Sequence, residues 1–451
     1  MMLSGLSLLL LVLCQDSSDP EWTIHERFRV DFVRLDILAL TKDGVPVTDL
    51  KMSDFVVKEN RKVMKLEIFD LQDYRKASTI PDRQASEMVV EGEGANLENP
   101  RAQYIFATDL ESVPLVQMRK AMTQLRDALA NGAFPQNADY LLYSMESGVL
   151  TDGFVHGSES LVAFLNQFEE RLTDRYRNEI NNRVRSTHLQ GKQSFRGAGR
   201  SSTGPRGLDG LEDHIEQCLL AVKGEYPDPA DIRDAARCVS DSVDAFIDDE
   251  VLTVGRMIGE LEALTYRFQD RPGLKTLFLV SPGFSLQPGL EAGSLARYLM
   301  GRVSRGASEI PYGSSNVSVS MEDEFKKVTH ACIRNRVVFH TFDIFGTANE
   351  QQNVDHRFLG GKNAATASFH RNYLRSYSAG LSTLATESGG FHLRAPDFGN
   401  GLSKVLPKLG VYYLLGYVSP DGKPGKYRKI KIKCKRKGVE LNYRRGYFGG
   451  N

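Results

Sequence analysis

The chain has 451 residues, room for two or three domains. Its 57 Lys and Arg balance its 57 Asp and Glu, so no chain-wide field gathers nucleic acid or a membrane, and such a partner needs a local patch. With 41% apolar and 25% charged residues, the composition is that of a globular chain and excludes a largely disordered one.

Residues 1–19 read as a signal peptide. Leu3 to Leu13 is a nearly unbroken apolar run, too short to span a bilayer, and the polar Gln15–Pro20 follows. No Lys or Arg precedes the run and no Ala-x-Ala follows it; Cys14 after Leu13 raises lipid anchoring as an alternative. A secreted or periplasmic location is expected, and no later segment reads as a transmembrane helix.

Residues 24–72 read as β. Phe28, Val30 and Phe32 alternate with polar residues, then Val33, Leu35, Ile37 and Ala39 alternate in the opposite phase, which predicts a bulge or a strand changing sheets. Asp43–Gly44 marks a turn, Phe55–Val57 a short strand, and Met64, Leu66 and Ile68 another. Residues 73–100 are polar and punctuated by Pro and Gly, a linker.

From 101 to 409 the pattern changes. Tyr104–Ala107, Tyr140–Tyr143, Leu274–Val280 and Val337–Phe339 are continuous apolar runs, suited to a buried parallel sheet. Leu115, Met118, Met122, Leu125 and Leu129 mark a helix and its core face, Leu161 to Leu172 a second, and Leu381–Ala385 a third that Gly389–Gly390 stops. Strands alternating with helices predict a doubly wound, mostly parallel α/β sheet. Insertions are expected at about 174–250, 285–320 and 346–375, with surface loops over 174–210 (rich in Arg), 285–320 and 346–375. Residues 410–451 return to β, with Val411–Val418 as one strand and Ile430, Ile432 and Cys434 alternating with lysines in another. Two incomplete β halves at the chain ends predict one sandwich, with the α/β domain inserted between them.

Cys218 and Cys238 lie in helix-like sequence on either side of a short segment. A disulfide there would staple a helical hairpin, adding roughly 3 kcal/mol by loop closure; two separately buried thiols are the alternative. Cys332 and Cys434 read as core residues, and no cysteine pair has zinc-ligand spacing.

The order of elements resembles a von Willebrand factor type A domain, and more narrowly the acidobacterial proteins related to it. Three segments carry the likeness: Asp43–Leu50 with Asp54–Asn60; the strand ending in Asp109, with Leu150–Asp152 and Val280–Gly283; and Leu384–Gly390 with Tyr412–Tyr417 and Arg445–Phe448. The resemblance implies a ligand-binding or assembly domain whose ligand face is the C-terminal edge of the sheet, around Asp109, Glu111, Ser112 and Ser281. Many such domains hold Mg²⁺ there on oxygen ligands, starting from an Asp-x-Ser-x-Ser loop. Here Asp109 matches, but Glu111 and Val113 stand where serines belong and Ser112 is out of step. The pattern is degenerate, so no metal or other cofactor is expected. Asp109 could equally cap the helix that follows.

Metalloprotease, nucleophile-elbow and phosphate-loop motifs are absent from the sequence. His340, His370 and His392 read as core or surface histidines; only one poised beside a nucleophile in a cleft would point to catalysis. Lys429, Lys431, Lys433 and Lys435 recur at period two, which reads as a solvated or edge strand guarded by lysines. A membrane contact is expected only through that strand or a lipidated Cys14. The expected function is that of an exported binding or scaffolding protein with a protein ligand. A hydrolase of unrecognised class and a structural envelope component are the alternatives.

Overall fold

The computed structural model describes residues 31–73, 102–109, 112–113, 115–151, 153–170, 172, 207–223, 228–303, 319–343, 365–394, 397–420 and 426–449. The expected leader with Cys14, the linker from residue 74 onward, Glu111 and the Arg-rich run lie outside them.

Strands from both chain ends interleave in two antiparallel sheets. From the N-terminal side come β1 (Asp31–Thr41), β2 (Phe55–Glu59), β3 (Lys62–Val63) and β4 (Leu66–Asp73). From the C-terminal side come β12 (Val411–Ser419), β13 (Tyr427–Cys434), β14 (Val439–Asn442) and β15 (Gly446–Phe448). The sheet orders are β14-β1-β12-β4 and β15-β13-β2-β3. Their facing residues, among them Val33, Leu35, Ile37, Val57, Leu415, Ile430 and Ile432, form one core. β1 is continuous and changes neighbour rather than sheet, from β12 up to Ile37 to β14 from Leu38. Its other face is also covered, because Leu38 and Leu40 join Tyr412 of β12 in the core of the α/β part. On β4, Ile68 is exposed although its spacing placed it inside. A register shift between Gly416 and Tyr417 rephases β4, so that Leu66 and Phe69 turn inward instead.

A charge network is enclosed between these sheets. Glu59 on β2 accepts hydrogen bonds from Tyr417 and Ser419 of β12 and from Tyr447 of β15, each at 2.8 Å. Arg428 on β13 donates to Ser419 (2.6 Å) and Tyr447 (3.0 Å), and lies 4.0 Å from Glu59. Both charged residues are buried, Glu59 at 3% and Arg428 at 0% exposure.

The second body is a seven-stranded, mostly parallel sheet. Its parallel strands are β5 (Ala102–Thr108), β6 (Ala138–Ser144), β9 (Lys275–Ser281), β10 (Val337–Asp343) and β11 (His392–Arg394). The short β7 (Gly148–Val149) and β8 (Val155–His156) pair antiparallel with β6. The order is β11-β10-β9-β5-β6-β7. One face carries α1 (Leu115–Ala130), α2 (158–170) and α8 (Phe398–Val405). The Met118, Met122, Leu125 and Leu129 stripe of α1 is buried there, as its spacing requires. The opposite face carries α4 (Pro229–Tyr266), α6 (Glu322–Asn335) and α7 (Ala367–Ser388). Gly389 ends α7 in the left-handed region (φ +90°), and Gly390 follows in close backbone contact, since a Cβ there would lie 1.9 Å from the Phe339 carbonyl oxygen. Asn442 of the sandwich donates to the Gly389 and Gly390 carbonyls (3.1 Å each), and Arg444 donates to the Ile333 carbonyl (3.1 Å), locking the two bodies together.

The expected loops over 285–320 and 346–375 need correction. The helix α5 (Leu290–Val303) occupies much of the first, and α7 already begins at Ala367. Ala292, Leu295, Ala296, Leu299 and Met300 follow helical spacing, and burial of that stripe orders the segment. α5 packs with α3 (Leu208–Leu219), the first half of α4 and the start of α7 into a separate helical core. Here Cys218 and Cys238 form a disulfide, with Cα atoms 5.8 Å apart. His370 is held between Asp209 (2.8 Å) and Glu212 (2.7 Å), and Glu250 accepts from Tyr377 (2.9 Å) and the Gly289 amide (2.7 Å).

Arg428→Met leaves the buried Glu59 without its cationic neighbour, and is expected to cost about 3–5 kcal/mol in urea unfolding. Adding Glu59→Gln should restore part of that loss. A single-variant cost within about 1 kcal/mol, as for an exposed pair, would remove the network from this structural role.

Candidate functional site

Parallel strands of a doubly wound sheet end together, and ligands of such sheets bind where successive connections leave in opposite directions. Here that point is fixed by strand order. The chain goes from β5 to β6 on one side and then to β9 on the other, so the crevice lies between the ends of β5 and β9. Asp109 follows β5 and Ser281 ends β9. They meet, with the Ser281 hydroxyl donating to Asp109 Oδ2 at 3.3 Å. The Ser112 amide donates to Oδ1 at 3.1 Å, and the Val113 amide to the Asp109 carbonyl at 3.1 Å. Asp109 therefore also holds the turn that leads into α1. Of the residues expected at this edge, Asp109, Ser112 and Ser281 come together, while Glu111 is outside the described residues.

The fit of Ser281 depends on glycine. Gly283 has φ +102°, and a Cβ on it would lie 2.4 Å from the Tyr377 carbonyl oxygen on α7. The Gly283 amide donates to Ser281 Oγ (3.0 Å), so the loop after β9 both orients the hydroxyl and lies against α7.

The sequence reading missed three charged neighbours. Glu146 is in the turn after β6, where Ser144 donates to it at 2.6 Å. Its carboxyl is close enough to that of Asp109 to disfavour a second negative charge there. Asp343 ends β10 in register with Ser281, and Arg394 ends β11 in register with Asp343, Nε to Oδ2 4.0 Å. Their common signal was a polar residue just past each buried strand. Burial first, and then Glu146, push the Asp109 carboxyl up to about 7, against the Ser112 amide, which favours the ionised form.

The Mg²⁺ pattern does not fit. Val113, at a serine position of that pattern, is buried in the apolar core. Among the described residues no cluster of three or more His, Cys, Asp or Glu could hold a metal.

His392 does stand beside a hydroxyl. Thr341 Oγ1 spends its proton on the Leu381 carbonyl (3.1 Å), so His392 Nδ1 supplies the hydrogen shared with Thr341 (2.9 Å). Nε2 is left to accept from Ser378 (3.2 Å), and burial and Arg394 hold the ring neutral by lowering its pKa to about 4. Yet Ser378 is only 3% exposed, sits within α7 and accepts from Arg394 Nε (3.0 Å). Neither the hollow beside Phe134 and Leu409 nor that beside His214 and Cys238 includes Ser378 or His392. The dyad pins α7 to β10 and β11. His340, with its pKa lowered to about 3 by burial, is a core residue.

No family model, curated protein or solved structure matches the chain.

Asp109 has a sign that can be measured. Its folded pKa lies above the ordinary 3.8, so between about 4 and about 7 the folded state holds a proton that the unfolded state has released. Stability from this group is full below that window and falls as pH rises through it. Asp109→Asn should therefore match wild type near pH 4 and unfold several degrees higher at pH 8, a difference that thermal scans at both pH values detect. Ser378 is expected to resist a fluorophosphonate probe. Labelling at Ser378 that His392→Ala abolishes would instead make the chain a hydrolase.

Proposed function

We propose that the chain is an exported binding or scaffolding protein, secreted or held in the cell envelope, whose von Willebrand A-type domain engages a protein ligand without metal. The observation that carries this reading is the Asp109–Ser281 contact at the switch point between β5 and β9. A buried carboxyl held near neutrality costs stability, and such groups gather at functional sites. Glu146 is exposed beside it, and the buried Asp343 faces Arg394 one strand over, so the exposed negative charge at the edge comes from Glu146. The ligand surface would then present basic or hydrogen-bond-donating groups. The Cys218–Cys238 disulfide supports an oxidising compartment.

Two measurements test it. Thermal unfolding in Mg²⁺ and in EDTA should coincide; a rise of a few degrees in Mg²⁺ that Asp109→Ala abolishes would restore a metal-dependent site. Glu146→Lys reverses the exposed charge at the edge, and a thermal scan of the variant checks that loss of the Ser144 and Asp109 contacts leaves it folded. A partner cross-linked by wild type should be lost from Glu146→Lys and kept by a control variant at the distant Asp234. Identical capture by all three would place the ligand face elsewhere.

A further inference from the structure

In sheet order β13 lies between β15 and β2, pairing with β15 over Tyr427–Lys429 and with β2 over Ile430–Cys434. Arg428, Ile430 and Ile432 face the core, and Lys429, Lys431 and Lys433 face out, all three exposed. Across the strand gap Lys58 stands directly opposite Lys431 on the same outer face. Like charges directly opposed destabilise a sheet. None of the four lysines has an ion-pair partner among the described residues. The chain as a whole is neutral, so this is a local concentration of charge that the fold bears at a cost.

The geometry of the face limits what could neutralise it. A pleated sheet sets alternate residues about 7 Å apart along a strand and neighbouring strands about 5 Å apart, so the ammonium groups spread over a plane and do not converge on one anion. Apolar Val63, 65% exposed, is paired with Lys58, and Val56 is paired with Lys433. A plane of lysines interspersed with short apolar side chains matches an anionic bilayer surface, where headgroup charge is spread laterally and methyl groups meet the interface. The apolar run ending at Leu13 lies upstream of the same sandwich. Cys14 is 17 residues before Asp31, a reach of roughly 60 Å when extended. A single weak tether and a basic patch together hold a protein at a membrane that neither holds alone.

We infer that the outer face of the β15-β13-β2-β3 sheet, through Lys58, Lys429, Lys431 and Lys433, docks on anionic phospholipid. This surface is independent of the acidic edge around Asp109.

The test is co-sedimentation of the full chain with phosphatidylcholine vesicles, with and without phosphatidylglycerol. Binding is expected only with phosphatidylglycerol, and should fall as salt shortens the screening length. Each lysine near such a surface contributes about fivefold, so Lys429→Glu/Lys431→Glu/Lys433→Glu should weaken binding by about a hundredfold or more. The triple Lys→Arg variant keeps the charge and should bind like wild type. Should the triple Glu variant fail to fold, Lys431→Glu alone should still cost about fivefold or more. Equal binding by the Glu variants and wild type, no preference for phosphatidylglycerol, or retention on heparin without vesicle binding would each overturn the inference.

Discussion

Glu59 and Arg428 come from opposite ends of the chain and meet, both buried, between two sheets. Neither tolerates that space alone, because an unpaired buried charge costs several kcal/mol. The hydroxyls of Tyr417, Ser419 and Tyr447 complete the contact, and each comes from a C-terminal strand. This polar joint specifies which strands face each other across the sandwich. Apolar packing alone is less selective, since Val, Ile and Leu faces fit many neighbours. Closing the sandwich also sets the frame of the α/β body. β1 and β12 bury one face in the sandwich and the other, through Leu38, Leu40 and Tyr412, in the core beneath α8.

Much of this architecture was legible because burial leaves a plain mark. Tyr104–Ala107 and Leu274–Val280 read as central strands since both faces are covered. The alternation of Ile430 and Ile432 with lysines gave the inward face of β13 directly. What it could not give was the neighbour. Pairing with distant residues, here Phe55–Glu59, sets which strand lies alongside, and one strand's own pattern does not show it. α5 was lost for a different reason. Its two glycines weaken a propensity reading, although its buried stripe has helical spacing. At the site, Asp109 and Ser281 could be picked out as strand-end residues. Glu146 could not, because the register of β5 with β6 places it, and register is invisible in one strand. The link between His392 and Ser378 was equally hidden, since it depends on how α7 crosses β10.

The edge of the parallel sheet and the outer face of the sandwich depart from good structural practice in different ways. At the edge a carboxyl is buried close to another carboxyl. On the sandwich, ammonium groups are opposed across strands. In both places charge is arranged against stability, while the cores beneath are closely packed and apolar. The acidic edge follows β5, β6, β9 and β10, and the basic face belongs to the terminal strands. One chain thus carries two separate places where charge is set against stability, within a neutral total.

The shared sandwich also has a consequence for biogenesis. β1 and β4 flank β12, and β2 pairs with β13, so the N-terminal strands have their main partners only after residue 411 has been made. Asp73 and Val411 are 338 residues apart, which at ordinary translation rates of ~5–20 residues per second is a wait of roughly 15–70 s. Throughout it, Val33, Leu35, Ile37 and Val57 stay in strands without their long-range partners, the kind of edge that pairs with other chains. A chain cut short before β12 would be expected to aggregate rather than form a smaller folded domain. Folding of the chain therefore calls for something that shields the first sixth of the polypeptide until the last tenth arrives.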